Sequence, residues 1–422
     1  MSGTLDSLQR LYGRLSVAGS VATDHRRLAS VDLVRATAAV SVLLSHAYAY
    51  PLWSHPAAIT RARYLFTATL TSGVFLFFAL SGYLIAGPYL RSLARGREFP
   101  STPGYAVRRA VRILPAWWVA LAAVILLTEP AIKLGQLVMH ATLTFGPDVN
   151  ESSRYLSIGW TLGAEMAFYV FVPIAALLAR NFVRHRQLGV NRLAAALVGL
   201  WLVSSAWTFV AALSDPLRPG TVGFERSVAH TGFGVIGGLF HFMPGMLVFV
   251  LLLAPQELVP PVRRAVAWGE RRTFSLFGVA AVLWMAAVVG SHDGQSEAHA
   301  ALMGEVNALA CGLILFAVLT GAEKFRTLVV VAAPVGLVSY GVYLWHGVLV
   351  DSLSAGHASL GFLTGNIGPL GFGARSILLF AFAVILGTLS WLGIERPLLR
   401  WTTGWERQRR TIETAAPAPV DA

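Results

Sequence analysis

The stretch VDLVRATAAVSVLLSHAYAY, residues 31–50, has the length and hydropathy of a membrane-spanning helix, yet it contains Arg35 and His46. A helix of about 20 apolar residues crosses the hydrocarbon core of a bilayer, where ionisable side chains are rare and usually functional. Eleven positions separate the two residues. That spacing is within about 20° of three full helical turns, with a rise of about 16–17 Å. Arg35 and His46 therefore lie on one face of the predicted helix.

The composition of the whole chain also indicates a membrane protein. Of the 422 residues, 55% are hydrophobic and 13% are charged, whereas soluble domains have about 25% charged residues. Apolar runs of spanning length recur along nearly the whole chain. We predict an all-α fold, a polytopic transmembrane helical bundle with about ten spans. The predicted spans are residues 30–50, 66–87, 113–128, 156–179, 193–213, 232–254, 273–290, 302–320, 328–350 and 373–394.

The distribution of basic residues predicts the orientation of these spans. With both termini cytoplasmic, 25 of the 33 Lys and Arg residues fall in cytoplasmic segments and 7 in outer loops, which fits the positive-inside rule. The net charge of +12 is then explained by topology, without a nucleic-acid partner. The apolar piece within residues 129–155 is short and contains Lys133 and His140. We predict that it is re-entrant or interfacial rather than spanning.

The chain divides into one large unit with two short ends. Residues 1–28 form a basic cytoplasmic segment, residues 29–397 the membrane domain, and residues 398–422 a cytoplasmic tail that we predict to be disordered. The first apolar run begins too late, and is too long, for a cleavable signal peptide. The single cysteine, Cys311, excludes an intramolecular disulfide and a zinc cluster of cysteines. We expect no metal and no permanently bound cofactor.

Ionisable residues in three predicted spans fall at a similar depth. In the predicted orientation, His46, Glu165 and His346 all lie in the outer half of the membrane, and such groups in a bundle tend to face its interior and one another. Structural interpretations remain open for several of these residues. Arg35 follows Asp32 by three residues and could simply pair with it, His46 could be a packing histidine, and His346 could belong to an outer interfacial belt.

A cluster of arginines precedes the third span, in YAVRRAVRILPAWW, residues 105–118. Arg109 and Arg112 are three residues apart on one helical face, and Arg108 and Arg112 are four apart. Guanidinium groups bind phosphate through bidentate, charge-assisted hydrogen bonds, so the cluster predicts a phosphate site on the cytoplasmic side. The alternative is that these arginines are ordinary positive-inside residues or contact anionic lipids.

The order of these motifs resembles the acyltransferase 3 family of bacterial membrane O-acyltransferases over roughly residues 27–397. Singly each motif is weak, but their order and the predicted topology agree with the family. The matching pieces are RLASVDLVRATAAVSVLLSH (27–46), GVFLFFALSGYLI (73–85), RRAVRILPAWW (108–118), WTLGAEMAFY (160–169), SYGVYLWH (339–346) and IERP (394–397).

The resemblance implies transfer of an acyl group from cytoplasmic acyl-CoA to a hydroxyl, commonly of a cell-surface glycan or glycolipid. The family's essential arginine and histidine of the first span match Arg35 and His46. Its arginine pair matches Arg109 and Arg112, and its acidic residue in the fourth span matches Glu165. The implied location is the bacterial cytoplasmic membrane.

One position departs from the family pattern. Family members often have an acidic residue in the second-span motif, in a sequence such as Gly-Val-Asp-Leu-Phe-Phe, and Phe75 stands at that place here. The role of that carboxylate is therefore absent from this chain or supplied by another residue.

Physical chemistry suggests how the motifs would work together. CoA is a cytoplasmic polyanion, so its nucleotide end should bind at the arginine-rich side while its pantetheine arm follows the Arg35 face, with Ser81 also contributing to donor binding. His46 would act as general base on the acceptor hydroxyl, or as transient acyl carrier, with its imidazole oriented by Glu165. The residues that we assign to the acceptor are Trp160, Tyr343 and His346.

Two alternatives to this function remain open at the level of the sequence. Within the enzyme hypothesis, the acceptor could be intracellular, such as a macrolide sugar. From a different class, a secondary transporter or flippase would also bury ionisable residues near the middle of the membrane. The sequence shows neither an internal repeat nor a pair of matching broken helices in its two halves, which favours the enzyme.

Overall fold

The computed structural model describes residues 25–53, 61–144, 153–183, 186–214, 238–290, 297–354 and 369–415, and all regular secondary structure in these ranges is helical. The predicted all-α class is confirmed. In chain order the α-helices are α1 (His25–Trp53), α2 (Arg61–Thr71), α3 (Gly73–Arg95), α4 (Thr102–Thr128), α5 (Leu134–Thr142), α6 (Gly159–Phe182), α7 (Gly189–Ser214), α8 (Met243–Leu253), α9 (Pro260–Arg271), α10 (Thr273–Gly290), α11 (Glu297–Thr320), α12 (Arg326–Leu337), α13 (Ser339–Ser354), α14 (Pro369–Ser390) and α15 (Arg396–Ala415).

Seven helical segments in the described part of the chain are long and apolar enough to cross a membrane, and the bent pair α12–α13 makes an eighth if it is one span. These eight coincide with eight of the ten predicted spans. The predicted spans without a counterpart among them are the first and the sixth. The first is α1, whose Asp32, Arg35 and His46 lower its hydropathy. The described part of the sixth, Leu239–Leu253, is apolar but short. The protein is a multi-pass helical bundle, and the count of about ten depends on these two segments.

Large apolar side chains cover the outside of the bundle. Leu126, Leu178, Leu202 and Ile377 all lie within long helices and expose between 65% and 76% of their surface. In water, so many exposed leucines would favour association, whereas lipid tails are as apolar as leucine itself. This outer surface is suited to hydrocarbon.

Helices α3 and α8 pack with their backbones almost in contact. A Cβ atom added at Gly245 would overlap the carbonyl oxygen of Ala79, and one added at Gly82 would overlap the carbonyl oxygen of Phe242. Small residues allow this close approach between membrane helices, where van der Waals packing rather than the hydrophobic effect drives association. This close packing holds α3 against α8, and α3 forms one wall of the cavity described below.

The ninth predicted span is broken. Helices α12 and α13 meet at an angle of 60° around Val338, and Pro334 lies inside α12 just before the break. Proline removes a backbone donor and its ring crowds the preceding turn, which kinks a helix. On one side of the break Gly336 packs against the backbone of Asp32 in α1, and on the other side α13 turns toward the centre of the bundle.

The segment within residues 129–155 contains the nine-residue helix α5. Nine residues rise about 13–14 Å, far less than the hydrocarbon thickness of about 30 Å, so α5 does not span. Two indole nitrogens fasten it to α4: Trp117 Nε1 donates to the carbonyl of His140 at 2.7 Å, and Trp118 Nε1 to that of Ala141 at 2.8 Å.

The two ends of the chain differ from the prediction where they are described. Helix α1 begins at His25, before the predicted boundary at residue 29, and α15 continues to Ala415 although residues 398–422 were predicted to be disordered. The stretch WERQRRTIETA, residues 405–415, contains no proline or glycine and is rich in helix-forming residues. The first proline after it is Pro417. The ends at 1–24 and 416–422 lie outside the described residues.

The predicted orientation has a direct test. A reporter fused after Ala422 and a reporter inserted at residues 215–226, between the predicted fifth and sixth spans, should give signals from opposite sides of the membrane. The N-terminal fusion should agree with the C-terminal one, because ten spans return the chain to its starting side. Signals from the same side for the first two reporters would contradict the ten-span topology.

Candidate active site

A cavity inside the bundle lies between α1, α3, α4, α6 and α13. Its charged lining consists of Arg35 from α1, Arg109 and Arg112 from α4, and Glu165 from α6. Helix α3 supplies an apolar wall that includes Phe77. The structure therefore brings four residues that the sequence singled out separately, in three different spans, into one enclosure.

Arg35 forms an ion pair and also lines the cavity. Its Nη1 lies 2.8 Å from Oδ1 of Asp32, one turn earlier on α1, and the Asp32 side chain is only 5% exposed. This is the pairing that remained open as an alternative. The same guanidinium is 29% exposed and lines the cavity, so its charge is balanced locally while the group still reaches the enclosed space.

The carboxylate of Glu165 is held by two hydroxyl groups. Ser81 Oγ donates to its Oε1 at 2.8 Å, and Tyr169 OH donates to the same oxygen at 2.9 Å. Ser81, which the sequence assigned to donor binding, thus lines the cavity but is engaged with Glu165. The hydrogen bond from Ser81 joins α3 to α6, the one from Tyr169 lies within α6, and together they fix the acidic group at the cavity wall.

His46 lies beside a second histidine. Its Nδ1 is 3.0 Å from the carbonyl oxygen of Val42 and 3.3 Å from Nε2 of His346, and the two ring centroids are 5.1 Å apart. An imidazole Nδ1–H that donates to a backbone carbonyl leaves Nε2 as the unprotonated, basic nitrogen. This arrangement therefore suits a base that acts through Nε2 of His46.

The expected role of Glu165 in orienting His46 differs from what the structure shows. Among the described residues, the hydrogen bonds of Glu165 go to Ser81 and Tyr169, and the imidazole that contacts His46 is that of His346. The two groups have a similar predicted depth on different helices, and depth alone does not make them neighbours. His346 is 1% exposed and is a packed core residue, not part of an exposed interfacial belt.

The residues assigned to the acceptor have different positions. Tyr343 lines the cavity, its OH is 2.7 Å from Thr161 Oγ1, and its ring centroid lies 5.2 Å from that of His346. It therefore connects the cavity to the histidine pair. Trp160 packs edge-to-face against Phe78, with 6.3 Å between the centroids, and is not among the cavity-lining residues.

The arginine cluster divides in the same way. Arg109 and Arg112 line the cavity, whereas Arg108 does not. The Arg109 guanidinium lies over the rings of Tyr105 and Tyr169, at 5.5 and 5.3 Å from their centroids. Arg112 forms an ion pair with Glu395, with 3.3 Å between Nη1 and Oε2.

Glu395 is the residue that sequence reasoning missed. It belongs to the IERP motif, but its position near the end of the last span concealed that its carboxylate is only 1% exposed. A charged residue that ends an apolar run is ordinarily read as the membrane boundary. The π-helical turn Trp391–Glu395 turns this one inward instead, and such turns are frequent at functional sites.

Phe75, at the position where relatives often have an acid, packs against an imidazole. Its ring centroid is 4.3 Å from that of His241, and both side chains are buried. Among the described residues, no group of three or more His, Cys, Asp or Glu side chains is arranged to hold a metal ion.

The similarities of the chain to known proteins agree with this architecture. The family model for the acyltransferase domain matches residues 28–396. The chain is similar to nodulation protein 10 of Rhizobium leguminosarum bv. viciae, with 24% identity over 414 residues that cover 90% of this chain and 96% of that protein. It has no significant match among solved structures. Because the family model covers nearly all of the membrane bundle and its cavity, the chain belongs to the acyltransferase 3 family.

Proposed function

We propose that this acyltransferase moves an acyl group from cytoplasmic acyl-CoA to a hydroxyl of a cell-surface glycan or glycolipid. The observation that carries the proposal is the cavity, in which Arg35, Arg109, Arg112 and Glu165 meet inside a membrane bundle. A donor with a phosphate-rich end and a long flexible arm matches a cavity that has guanidinium groups on one wall and apolar side chains on another. We place the protein in the bacterial cytoplasmic membrane with both termini cytoplasmic.

The arginines support the donor assignment by their chemistry. Guanidinium groups are permanently charged and present planar donors that match phosphate oxygens. Arg109 and Arg112 lie near the start of α4, on the side of the membrane that the predicted orientation makes cytoplasmic, where CoA is available. Arg35 lies on the same cavity, so the pantetheine arm would pass along α1 toward the histidines.

In the proposed reaction the acceptor hydroxyl attacks the thioester carbonyl. His46 takes the hydroxyl proton as the new C–O bond forms, and the breaking C–S bond releases the CoA thiolate, which receives that proton. A neutral histidine suits this exchange near neutral pH. His346, at 3.3 Å from His46, supports the imidazole from one side, and Tyr343 links the pair to the cavity wall.

Glu165 has a different part in this proposal from the one that its depth suggested. Its hydrogen bond with Ser81 connects α3 and α6, two helices that line the proposed donor path. Its negative charge also offsets part of the arginine charge around the cavity. We therefore assign it to the shape and charge of the cavity, and the proton transfer to His46.

Membership in an acyltransferase family favours the enzyme over a secondary transporter or flippase. A transporter would move its substrate unchanged, whereas the proposed reaction releases a free thiol. This difference gives a simple test.

The test uses the purified full chain in lipid nanodiscs with acetyl-CoA and longer acyl-CoA thioesters, and it follows thiol release with a thiol-reactive dye. Addition of a glycolipid extract from the envelope of the producing cell should accelerate release, and mass spectrometry should find one acyl mass added to an extract component. Envelope glycans from cells that lack the protein should lose that mass. No thiol release with any of these donors, together with an unchanged envelope, would contradict the proposal.

A further inference from the structure

The ion pair between Arg112 and Glu395 joins a cavity-lining guanidinium to a carboxylate that is 1% exposed. Oε2 of Glu395 accepts a hydrogen bond from Arg112 Nη1 at 3.3 Å, and Oε1 accepts one from Ser390 Oγ at 3.2 Å. The Arg112 guanidinium lies over the rings of Tyr340 and Trp391, with its Cζ 5.8 and 5.4 Å from the centroids. Charge, hydrogen bonding and two aromatic faces therefore fix the direction of the Arg112 side chain.

The aromatic neighbours are themselves fixed. Tyr340 OH donates to the backbone carbonyl of Ile113 at 2.8 Å, which attaches the start of α13 to α4. Trp391 is 3% exposed and opens the π-helical turn that carries Glu395. The turn thus brings one ring and one carboxylate to the same guanidinium.

Arg109, one turn earlier on the same helix, has a different environment. Within the described residues no carboxylate lies at ion-pair distance from it, and its neighbours are the faces of Tyr105 and Tyr169. Its Nε is buried without a hydrogen-bond partner in this part of the chain. Cation–π contact stabilises such a charge but does not neutralise it, so Arg109 can attract an anion more strongly than Arg112, which is ion-paired with Glu395.

We infer that the two arginines of the Arg-x-x-Arg motif have unequal roles: Arg109 binds the phosphate charge of the donor, and Glu395 is a positioning residue that commits Arg112 to shaping the cavity. This inference rests on the proposed function only in naming the anion as the phosphate end of acyl-CoA. A guanidinium already paired with a buried carboxylate gains little from a second anion, because its charge is balanced before the donor arrives.

The first experiment compares single variants of the cluster. Arg109→Gln should raise the KM for acyl-CoA by roughly tenfold or more, because a charge-assisted hydrogen bond is lost, and saturating donor should recover kcat. Arg112→Gln should raise KM less. Arg264→Gln is the control, since Arg264 is an exposed arginine of α9 that does not line the cavity, and its KM should stay unchanged. Equal increases in KM for the Arg109 and Arg112 variants would overturn the inference.

The second experiment tests Glu395 by a double-mutant cycle. Arg112→Gln leaves a buried carboxylate without its partner, so the variant should melt at a lower temperature than the wild type. Combining it with Glu395→Gln removes the charge and should restore most of the melting temperature. Glu395→Gln alone keeps an acceptor for Arg112 but releases its charge, and should lower the KM for acyl-CoA severalfold.

The melting temperature is measured without substrate. The double-mutant cycle therefore tests the positioning role of Glu395 independently of the assignment of acyl-CoA as donor. If the wild type binds no acyl-CoA while the cycle shows coupling, the donor assignment fails and the positioning role of Glu395 stands. Additive effects of Arg112→Gln and Glu395→Gln on the melting temperature would overturn the positioning role.

Discussion

Replacing His46 with alanine should lower kcat for acyl transfer by a factor of about 10²–10⁴, the usual contribution of a general base. The KM for acyl-CoA should change little, because the arginines that we assign to the donor are untouched. The imidazole of His46 contacts the Val42 carbonyl and His346, so the melting temperature of the variant is measured beside its kinetics. Steady-state thiol release across a range of donor concentrations measures both constants.

The matched control for this variant is His299→Ala. His299 is also a helix histidine whose ring nitrogen lies at hydrogen-bond distance from a backbone carbonyl, 2.9 Å from that of Gly290. Neither histidine is among the cavity-lining residues, but His46 lies on α1, which supplies Arg35 to the lining, whereas His299 lies on α11, which supplies none of it. Its replacement should leave kcat within a few fold of the wild type. Near wild-type kcat in the His46 variant would remove His46 from the reaction and leave the histidine pair as a packing feature.

The second large effect concerns folding. Gly245→Ala should sharply reduce the yield of monodisperse protein, because the added methyl group would overlap the backbone of Ala79. Overpacking a well-filled core typically destabilises by about 1–3 kcal/mol, occasionally more. Here the obstacle is backbone, which cannot rotate away, so we expect the upper end of that range. Thermal unfolding in detergent followed by intrinsic fluorescence measures the change.

Gly278→Ala is the control for this prediction. Gly278 lies in α10, and a Cβ atom there would meet nothing within 4 Å. In a helix interior alanine is favoured over glycine by about 1 kcal/mol, so this variant should be as stable as the wild type or slightly more stable. If the Gly245→Ala protein had the same melting temperature as the Gly278→Ala protein, α3 and α8 would be able to separate without loss of the fold.

Hydropathy alone was sufficient to predict the class of the fold and the approximate limits of most spans, because a bilayer imposes one length and one polarity on every crossing helix. The apolar run that contains Arg35 and His46 is one helix, as predicted. Hydropathy predicts the depth of a residue in the membrane, and this is only one of its three spatial coordinates. It could not show that His46 meets His346, since residues 300 positions apart acquire their lateral neighbours only through helix packing.

The same limit explains the misassigned partner of Glu165. A shared depth favoured a contact with His46, but the packing of α3 against α6 brings Ser81 to the carboxylate, and Tyr169 of the same helix supplies the second hydrogen bond. Tyr169 is four residues after Glu165 on the same helix, a spacing that predicts contact between side chains, so this partner was accessible to sequence reasoning. The kink near Val338 also has a signal in the sequence, because Pro334 lies four residues before it.

The charge pairs of this protein differ in when they can form during synthesis. Asp32 and Arg35 are one turn apart, so α1 can enter the bilayer with its charges already matched. Arg112 must wait for Glu395, 283 residues later, and an unmatched charge in a membrane helix is energetically unfavourable. Nascent chains that stop before the last helix therefore keep a guanidinium without its counter-ion. The Arg112 counter-ion is therefore a physical difference between a complete chain and an unfinished one.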